Sequence, residues 1–306
     1  MITVFGSIGM DVVQSVARLP RPGETVLTPD YALLPGGKGA NQALAAARAG
    51  APVRMIATVG DDDFGRLAVA NLADAGVDLD WMAVGTRPTA CATVCVAEDG
   101  ENQIVVASGA NLETHAGQLA AIELSADDLV LLQLEITLDE LPAAVRQIKA
   151  AGARSVLNAA PFKPLPSEVL EQLDVLIVNE IEARMLADDL GLAATDPIAA
   201  GAALAGRLPG LIVLTLGADG TVAFAGDGTI RATVLPIRAV DTVGAGDAFL
   251  GAFAAALHDG AGLADCLRRG NTAGGLTCLT PGAQDGIPEA GRIAARQGEI
   301  EVSELV

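Results

Sequence analysis

The sequence predicts an α/β protein: a three-layer α/β/α core on a mostly parallel sheet, carrying a small β-sheet lid. Three observations point there. Runs such as LVLLQLE, RSVLNAA, DVLIVNE and GLIVLTLG are apolar almost without interruption, the pattern of strands covered by helices on both faces. Helix-like stretches separate them, the alternation that builds a parallel sheet. Two segments, roughly 12–35 and 87–110, break this rhythm with strand patterns and no intervening helix.

From the N-terminus, ITVFG reads as a strand entering a turn, and GANQALAAARAG as a helix closed by Gly50. VRMIATVG follows as a strand and FGRLAVANLADAG as a helix ended by Gly76; glycine just past the last periodic residue is a common helix stop. ETVLTPDYALLPGG is strand-like. TACATVCVAEDGENQIVVASGAN holds two strand runs joined through Asp99-Gly100, a hairpin signal. Together these segments form the expected lid, a flap able to close over a site or to pair with a second copy. The four apolar runs carry βαβ alternation through the middle and C-terminal portions of one domain spanning 1–306. A last strand is expected to end near Val240, with a helix starting near Gly246.

Composition narrows the functions. With 306 residues, 51% hydrophobic and 19% charged, the chain is globular and large enough for a sizeable core. A net charge of −19 leaves no basic stripe to neutralise phosphates, which argues against a general nucleic-acid binder and an anionic membrane surface. A phosphate-bearing ligand would have to be held locally, by backbone amides and a few cations. Cys91, Cys95, Cys266 and Cys278 make no C-x-x-C pair and read as free, mostly buried thiols of a reducing compartment. MITVFGSIGMD opens at once on a strand pattern, and no uninterrupted apolar stretch reaches membrane-spanning length; the expectation is a cytoplasmic protein.

Two glycine loops carry the chemistry. In AVDTVGAGDAFLGAF, residues 239–253, Gly244, Ala245 and Gly246 fall at a helix N-terminus. Unpaired amides and the helix dipole favour an anion there. Asp247 places a carboxylate beside that anion, a combination suited to phosphoryl transfer. A second reading stands beside it: an acidic first turn that only complements the dipole. In PGGKGANQALAA, Gly36, Gly37 and Gly39 precede another helix, whose early Asn41 and Gln42 are polar in an Ala-rich segment. The loop is not a P-loop, because Gly39 rather than Ser or Thr follows Lys38. Asn41 reads equally as a ligand contact or as a helix cap. A dinucleotide fingerprint fails too, since Phe249 stands where GAGDAF needs its third glycine.

GGKGANQA and DTVGAGD, about 200 residues apart and in this order, resemble the two signatures of the ribokinase-like (PfkB-type) carbohydrate kinases. GSIGMD, GENQIVVASGAN, QLE, VNEIEA and TLGADG extend the likeness over essentially the whole chain. The resemblance implies an ATP-dependent kinase that uses Mg²⁺ and phosphorylates a sugar hydroxyl, with D-ribose to D-ribose 5-phosphate the leading expectation. It implies that Asp247 is the general base and that Gly244, Ala245 and Gly246 form an anion hole. Asp11, Gly37, Lys38, Gly39, Asn41 and Glu135 are then the sugar side. Asn179, Glu182, Thr215, Gly217, Gly220, Gly246 and Asn271 are the nucleotide side, with Asn179 and Glu182 organising phosphate and Mg²⁺. Asp241, Val243, Thr277, Thr280 and Gly282 match a monovalent-cation position, K⁺ by resemblance. Homodimerisation through the lid is also implied.

Local patterns support several of these roles and offer alternatives to some. Asp11 and Glu135 are expected just past strand ends, where open α/β sheets bind ligands; an Asx-turn and a helix-start charge are the plainer readings. Asn179 and Glu182 also have the spacing of a capping box. Two departures from the family pattern stand out. Gly286 occupies the place where a hydroxyl often completes the cation loop, and Gly9 the place where an Asn often contacts the sugar. Other outcomes therefore stay open: a nucleoside or 2-keto-3-deoxygluconate kinase, or a non-catalytic sugar or nucleotide sensor on the same fold. His115, His258, Trp81 and Tyr31 are read as structural.

Overall fold

The computed structural model describes residues 1–226 and 228–305. Among these residues, nine strands form the main sheet: β1 Ile2–Phe5, β4 Val53–Ile56, β9 Leu129–Leu132, β10 Arg154–Asn158, β11 Val175–Asn179, β12 Leu211–Thr215, β13 Thr221–Ala225, β14 Gly228–Ala232 and β15 Val302–Leu305. Their order is β15-β14-β13-β12-β11-β10-β9-β1-β4. From β4 to β12 all neighbours are parallel, whereas β12 to β15 pair antiparallel.

Alternation along the strands feeds two cores. In β9, Leu129 and Leu131 face one side while Val130 and Leu132 face the other; in β12, Val213 opposes Ile212 and Leu214. The first face is covered by the helices Lys38–Arg48, Ala245–His258 and Leu263–Thr277. The second is covered by Leu141–Ala150, Glu180–Asp189 and Pro197–Arg207. This is the three-layer core the apolar runs predicted.

A separate sheet joins β2 Gly9–Val16, β3 Ala32–Gly36, β7 Ala90–Ala97 and β8 Asn102–Ala107 in the order β3-β2-β7-β8. β7 and β8 pair antiparallel across Asp99-Gly100. A third, two-stranded sheet pairs β5 Thr58–Val59 with β6 Ala83–Val84.

Several expectations need correction. βαβ alternation does not persist to the C-terminus: the connection from β13 to β14 is too short for the crossover that parallel pairing requires, and that edge is antiparallel. No strand ends at Val240. Residues 233–240 run outside the sheet, and Pro236 has no N–H to give a ladder. ETVLTPDY is not strand either; only Ala32–Gly36 pairs, with Pro29 interrupting the run. VRMIATVG divides, since β5 leaves the main sheet to pair with β6. The helix expected over FGRLAVANLADAG is broken at Val69. Asp11 lies inside lid strand β2, opposite Leu34, not just past β1, because the chain enters the lid at Gly9.

Candidate active site

The helix Ala245–His258 begins from Gly244, which adopts a left-handed φ of 76°. A Cβ there would also lie 2.4 Å from the carbonyl oxygen of Ala283, so both conformation and space require glycine. Asp247 follows in the first turn and is buried, 6% exposed. One turn on, Gly251 lets the Lys38–Arg48 helix approach closely; a Cβ at 251 would sit 2.4 Å from that of Ala45. This close crossing sets two amides against Asp247. Asn41 Nδ2 donates to Oδ2 at 3.0 Å, and Gln42 Nε2 donates to Oδ1 at 2.9 Å.

The turn before this helix is open. Among the described residues, the amides of Gly244, Gly246 and Asp247 meet no hydrogen-bond acceptor; Ala245 N reaches Thr242 O at 3.3 Å. Beyond its chain neighbours and its own helix backbone, no described atom lies within 4 Å of where a Gly246 Cβ would stand. These amides border a cavity of about 240 Å³ whose lining includes Lys38, Asn179, Glu182 and Asp247. The Asp247 carboxylate, with those of Glu135 and Glu182, holds the Lys38 ammonium above its ordinary pKa against the opposing effect of burial. Burial pushes the Glu182 carboxyl up, opposed by the Asn179 amide and by Lys38. One cation, one general-base candidate and free amides thus face one space, which suits stabilisation of a transferring phosphoryl group.

Asn179 and Glu182 form the full capping box: Asn179 Oδ1 accepts from Glu182 N at 2.9 Å, and Glu182 Oε2 accepts from Asn179 N at 2.8 Å. They cap a helix and line the cavity at once, so the two readings of this pair coexist.

A larger cavity of about 540 Å³ adjoins the first, sharing Thr215, Thr242 and Gly246 in its lining. Gly217, Gly220 and Asn271 line it beside Leu235, Pro236 and Phe249. Asn271 Nδ2 is turned inward, donating to Thr233 O at 2.7 Å and to Thr221 Oγ1 at 3.1 Å. Its amide nitrogen is therefore committed to the fold, and shape and apolar contact dominate this cavity.

On the lid side, Glu135 accepts from Ser7 Oγ at 2.6 Å and from the Lys38 amide at 2.9 Å. Burial, reinforced by Glu135, pushes the Asp11 carboxyl up to about 6. Asp11 lies over Gly36, where a Cβ would come within 2.8 Å of Oδ2. Gly39 is packed away from the cavity, against the backbone of Ser7.

Asp241 ties two loops together: Oδ1 accepts from Val243 N at 3.0 Å and Oδ2 from Gly282 N at 2.9 Å. Thr277 and Thr280 flank the same region, Thr280 N donating to Thr277 O at 3.2 Å. A Cβ at Gly286 would lie 2.4 Å from the Thr277 carbonyl oxygen, so on this backbone the position has no room for a side chain. Among the described residues, no cluster of three His, Cys, Asp or Glu side chains could hold a metal ion.

Sequence reasoning missed Ser7, Gln133, Asn158 and Gln284. Gln133 alone carried a visible signal, a polar residue inside the apolar run LVLLQLE, buried at 0% exposure. It donates to Gln42 Oε1 at 2.7 Å.

Comparison with known proteins gives the family and the fold. The model of the pfkB family carbohydrate kinases matches residues 1–290. The ribokinase of Bacillus subtilis is 38% identical over 289 residues, covering 94% of this chain and 96% of its own. Among solved structures, the Thermotoga maritima ribokinase superposes with a TM-score of 0.89 at 30% identity, covering 96% of this chain and 98% of that one. The Arabidopsis thaliana ribokinase complexed with ribose and ATP gives 0.87 at 30% identity, covering 97% and 98%. No described helix is long and apolar enough to cross a membrane.

Proposed function

The chain belongs to the pfkB family of carbohydrate kinases, phosphotransferases to an alcohol group, and from that premise we propose that it phosphorylates D-ribose at its 5-hydroxyl using ATP. The observation that carries the mechanism is the buried Asp247 carboxylate, which shares one cavity with the Lys38 ammonium and with helix-start amides that meet no acceptor among the described residues. Asp247 accepts the hydroxyl proton as the sugar oxygen attacks. The new O–P bond forms as the bond to the departing ADP breaks. The amides of the Gly244–Gly246 turn and Lys38 take up charge on the transferring group, the electrostatic contribution that dominates phosphoryl transfer.

Asp11, with Gly37, Asn41 and Glu135, forms the sugar side in this reading. The larger cavity takes the nucleotide, with Thr215, Gly217, Gly220 and Asn271 around it. Asn179 and Glu182 fit a divalent ion held with phosphate and water, which is how Mg²⁺ is commonly bound; it would neutralise phosphate charge. Asp241 and the carbonyls of Val243, Thr277, Thr280 and Gly282 offer only oxygen donors, suiting a hard monovalent cation that would steady the anion-hole turn. The lid is the proposed dimer contact. All of β8 is exposed, including Val105 at 72%, and an uncovered strand favours pairing. Sedimentation should show a dimer that Val105→Lys weakens.

ADP release with pentoses, ketohexoses and nucleosides tests the assignment. The highest kcat/KM is expected with D-ribose, and the product with phosphate on its 5-oxygen. A nucleoside preferred over every sugar would replace the substrate, and no turnover with any of them would overturn the kinase reading for this chain.

A further inference from the structure

The carboxylate of Asp247 is the meeting point of two buried side-chain relays. On one side, Asn71 Nδ2 donates to Gln284 Oε1 at 2.9 Å, Gln284 Nε2 to Asn41 Oδ1 at 3.0 Å, and Asn41 Nδ2 to Asp247 Oδ2 at 3.0 Å. On the other, Gln133 Nε2 donates to Gln42 Oε1 at 2.7 Å and Gln42 Nε2 to Asp247 Oδ1 at 2.9 Å. Asn41, Gln42, Gln133 and Gln284 are all at most 5% exposed.

The polarity of these relays follows from one charge. An ionised carboxylate only accepts, so both amides touching it must present N–H. Their carbonyls then point outward, and each next amide must present N–H in turn. In each of these five hydrogen bonds the donor therefore points toward Asp247, with Gln42 Nε2 making a longer second contact to Asn158 Oδ1 at 3.3 Å, and reversing Asn41 or Gln284 would leave like atoms facing each other in a buried site. Such chains polarise along their length. One loop anchors the outer end: Gly282 N holds Asp241, the Ala283 carbonyl backs Gly244, and Gln284 holds Asn41. The anion-hole turn and the base thus share a support.

We infer that Gln284, acting through Asn41, is a positioning residue for phosphoryl transfer: it fixes the rotation of the Asp247 carboxylate so that a lone pair on each oxygen stays unshared for the incoming hydroxyl. This rests on the reading of Asp247 as general base. It assigns Asn41 a role in kcat beside any contact it makes with the sugar.

The test is the single-turnover rate of phosphoryl transfer, measured per folded molecule with the KM of both substrates. Gln284→Met keeps the length and removes the donor. It is expected to lower the transfer rate about tenfold, within the hundredfold that misplacing a reacting group can cost, with little change in either KM. Asn71→Asp, at the half-buried outer end, replaces the donor by an acceptor and should lower the rate less, in the same direction. A parental rate in folded Gln284→Met, or a loss confined to the sugar's KM, would overturn the inference; where that variant does not fold, Asn71→Asp decides by the same criteria. Asp247→Asn separates the two levels. If it stays active, the base reading fails and takes this one with it. If it is inactive while Gln284→Met transfers at the parental rate, only the positioning role is lost.

Discussion

Two glycine-rich loops face each other across Asp247, each at the start of a helix, and only one has amides to spare. In the Gly36–Gly39 loop the first helical amides are already engaged. Lys38 N donates to Glu135, Gly39 N to Ser7 Oγ at 3.1 Å, and Ala40 N to Ser7 O at 2.9 Å. A Cβ on Gly39 would lie 2.5 Å from Ser7 O. At the other loop the amides of Gly244, Gly246 and Asp247 meet no acceptor among the described residues, and the space beside Gly246 is empty. The same sequence signal thus serves close backbone packing in one place and leaves an open helix start, the anion site proposed above, in the other. What separates them is whether the fold itself supplies the acceptors that a helix start needs.

The sharpest way to break this contrast is at the carboxylate between the loops. Asp247→Asn should lower kcat by about 10²–10⁴, the usual cost of losing a general base, with nucleotide and sugar binding largely kept. Steady-state kinetics beside equilibrium binding of each substrate checks it, and a variant retaining half the parental kcat would remove the base from the account.

Asp11 probes the side of the engaged loop. Asp11→Asn should raise the sugar's KM about tenfold or more, because a hydrogen bond to a charged group is worth roughly 1.5–3 kcal/mol, and should leave the KM of ATP nearly unchanged. The pH dependence carries a definite sign. The Asp11 pKa is raised to about 6 from 3.8, so the folded chain holds this proton more tightly than the unfolded one. Its ionisation therefore opposes folding fully above pH 6, and the penalty disappears as pH falls from there toward 3.8. Asp11→Asn is expected to raise Tm at pH 7 but not at pH 4. In the parent, kcat/KM for the sugar should fall as pH drops through about 6, and the variant should lack that limb. Matching pH profiles in parent and variant would contradict the assignment.

Gly39→Ala sharpens the packing half of the comparison. Its methyl meets backbone, which cannot swing aside, so a loss of about 1–3 kcal/mol from overpacking is expected, read in thermal melts as a lowered Tm. A smaller effect belongs to Asn179, whose helix start is capped by its own side chain. Asn179→Ala should cost about 1 kcal/mol of stability, with a moderate rise in the KM of ATP in the same preparation.

Much of this was legible in the sequence for physical reasons. Strands buried on both faces leave unbroken apolar runs, so β9 to β12 stood out. GAGD and GGKG stood out because glycine before a helix is costly without a purpose. The C-terminal antiparallel edge was less visible, since β14 and β15 are partly exposed and carry no unbroken apolar run. Asp11 was assigned to a strand end because the passage from core to lid takes only three residues, 6–8. The relay through Gln284 was invisible, because it joins residues 243 positions apart and depends on a helix crossing that only the fold creates.

Binding of the transferring phosphoryl group by the open turn is put to the proof by Gly246→Val. The substitution adds a side chain where no described atom beyond its chain neighbours and own helix backbone lies within 4 Å, so Tm should stay near the parent's. The branched side chain would crowd the approach to the amides, and kcat should fall by about a hundredfold or more, matching the roughly 2.7–4 kcal/mol lost with one oxyanion donor. Unchanged kcat per folded molecule together with a lowered Tm would contradict the account, and would mean that both glycine loops serve packing alone.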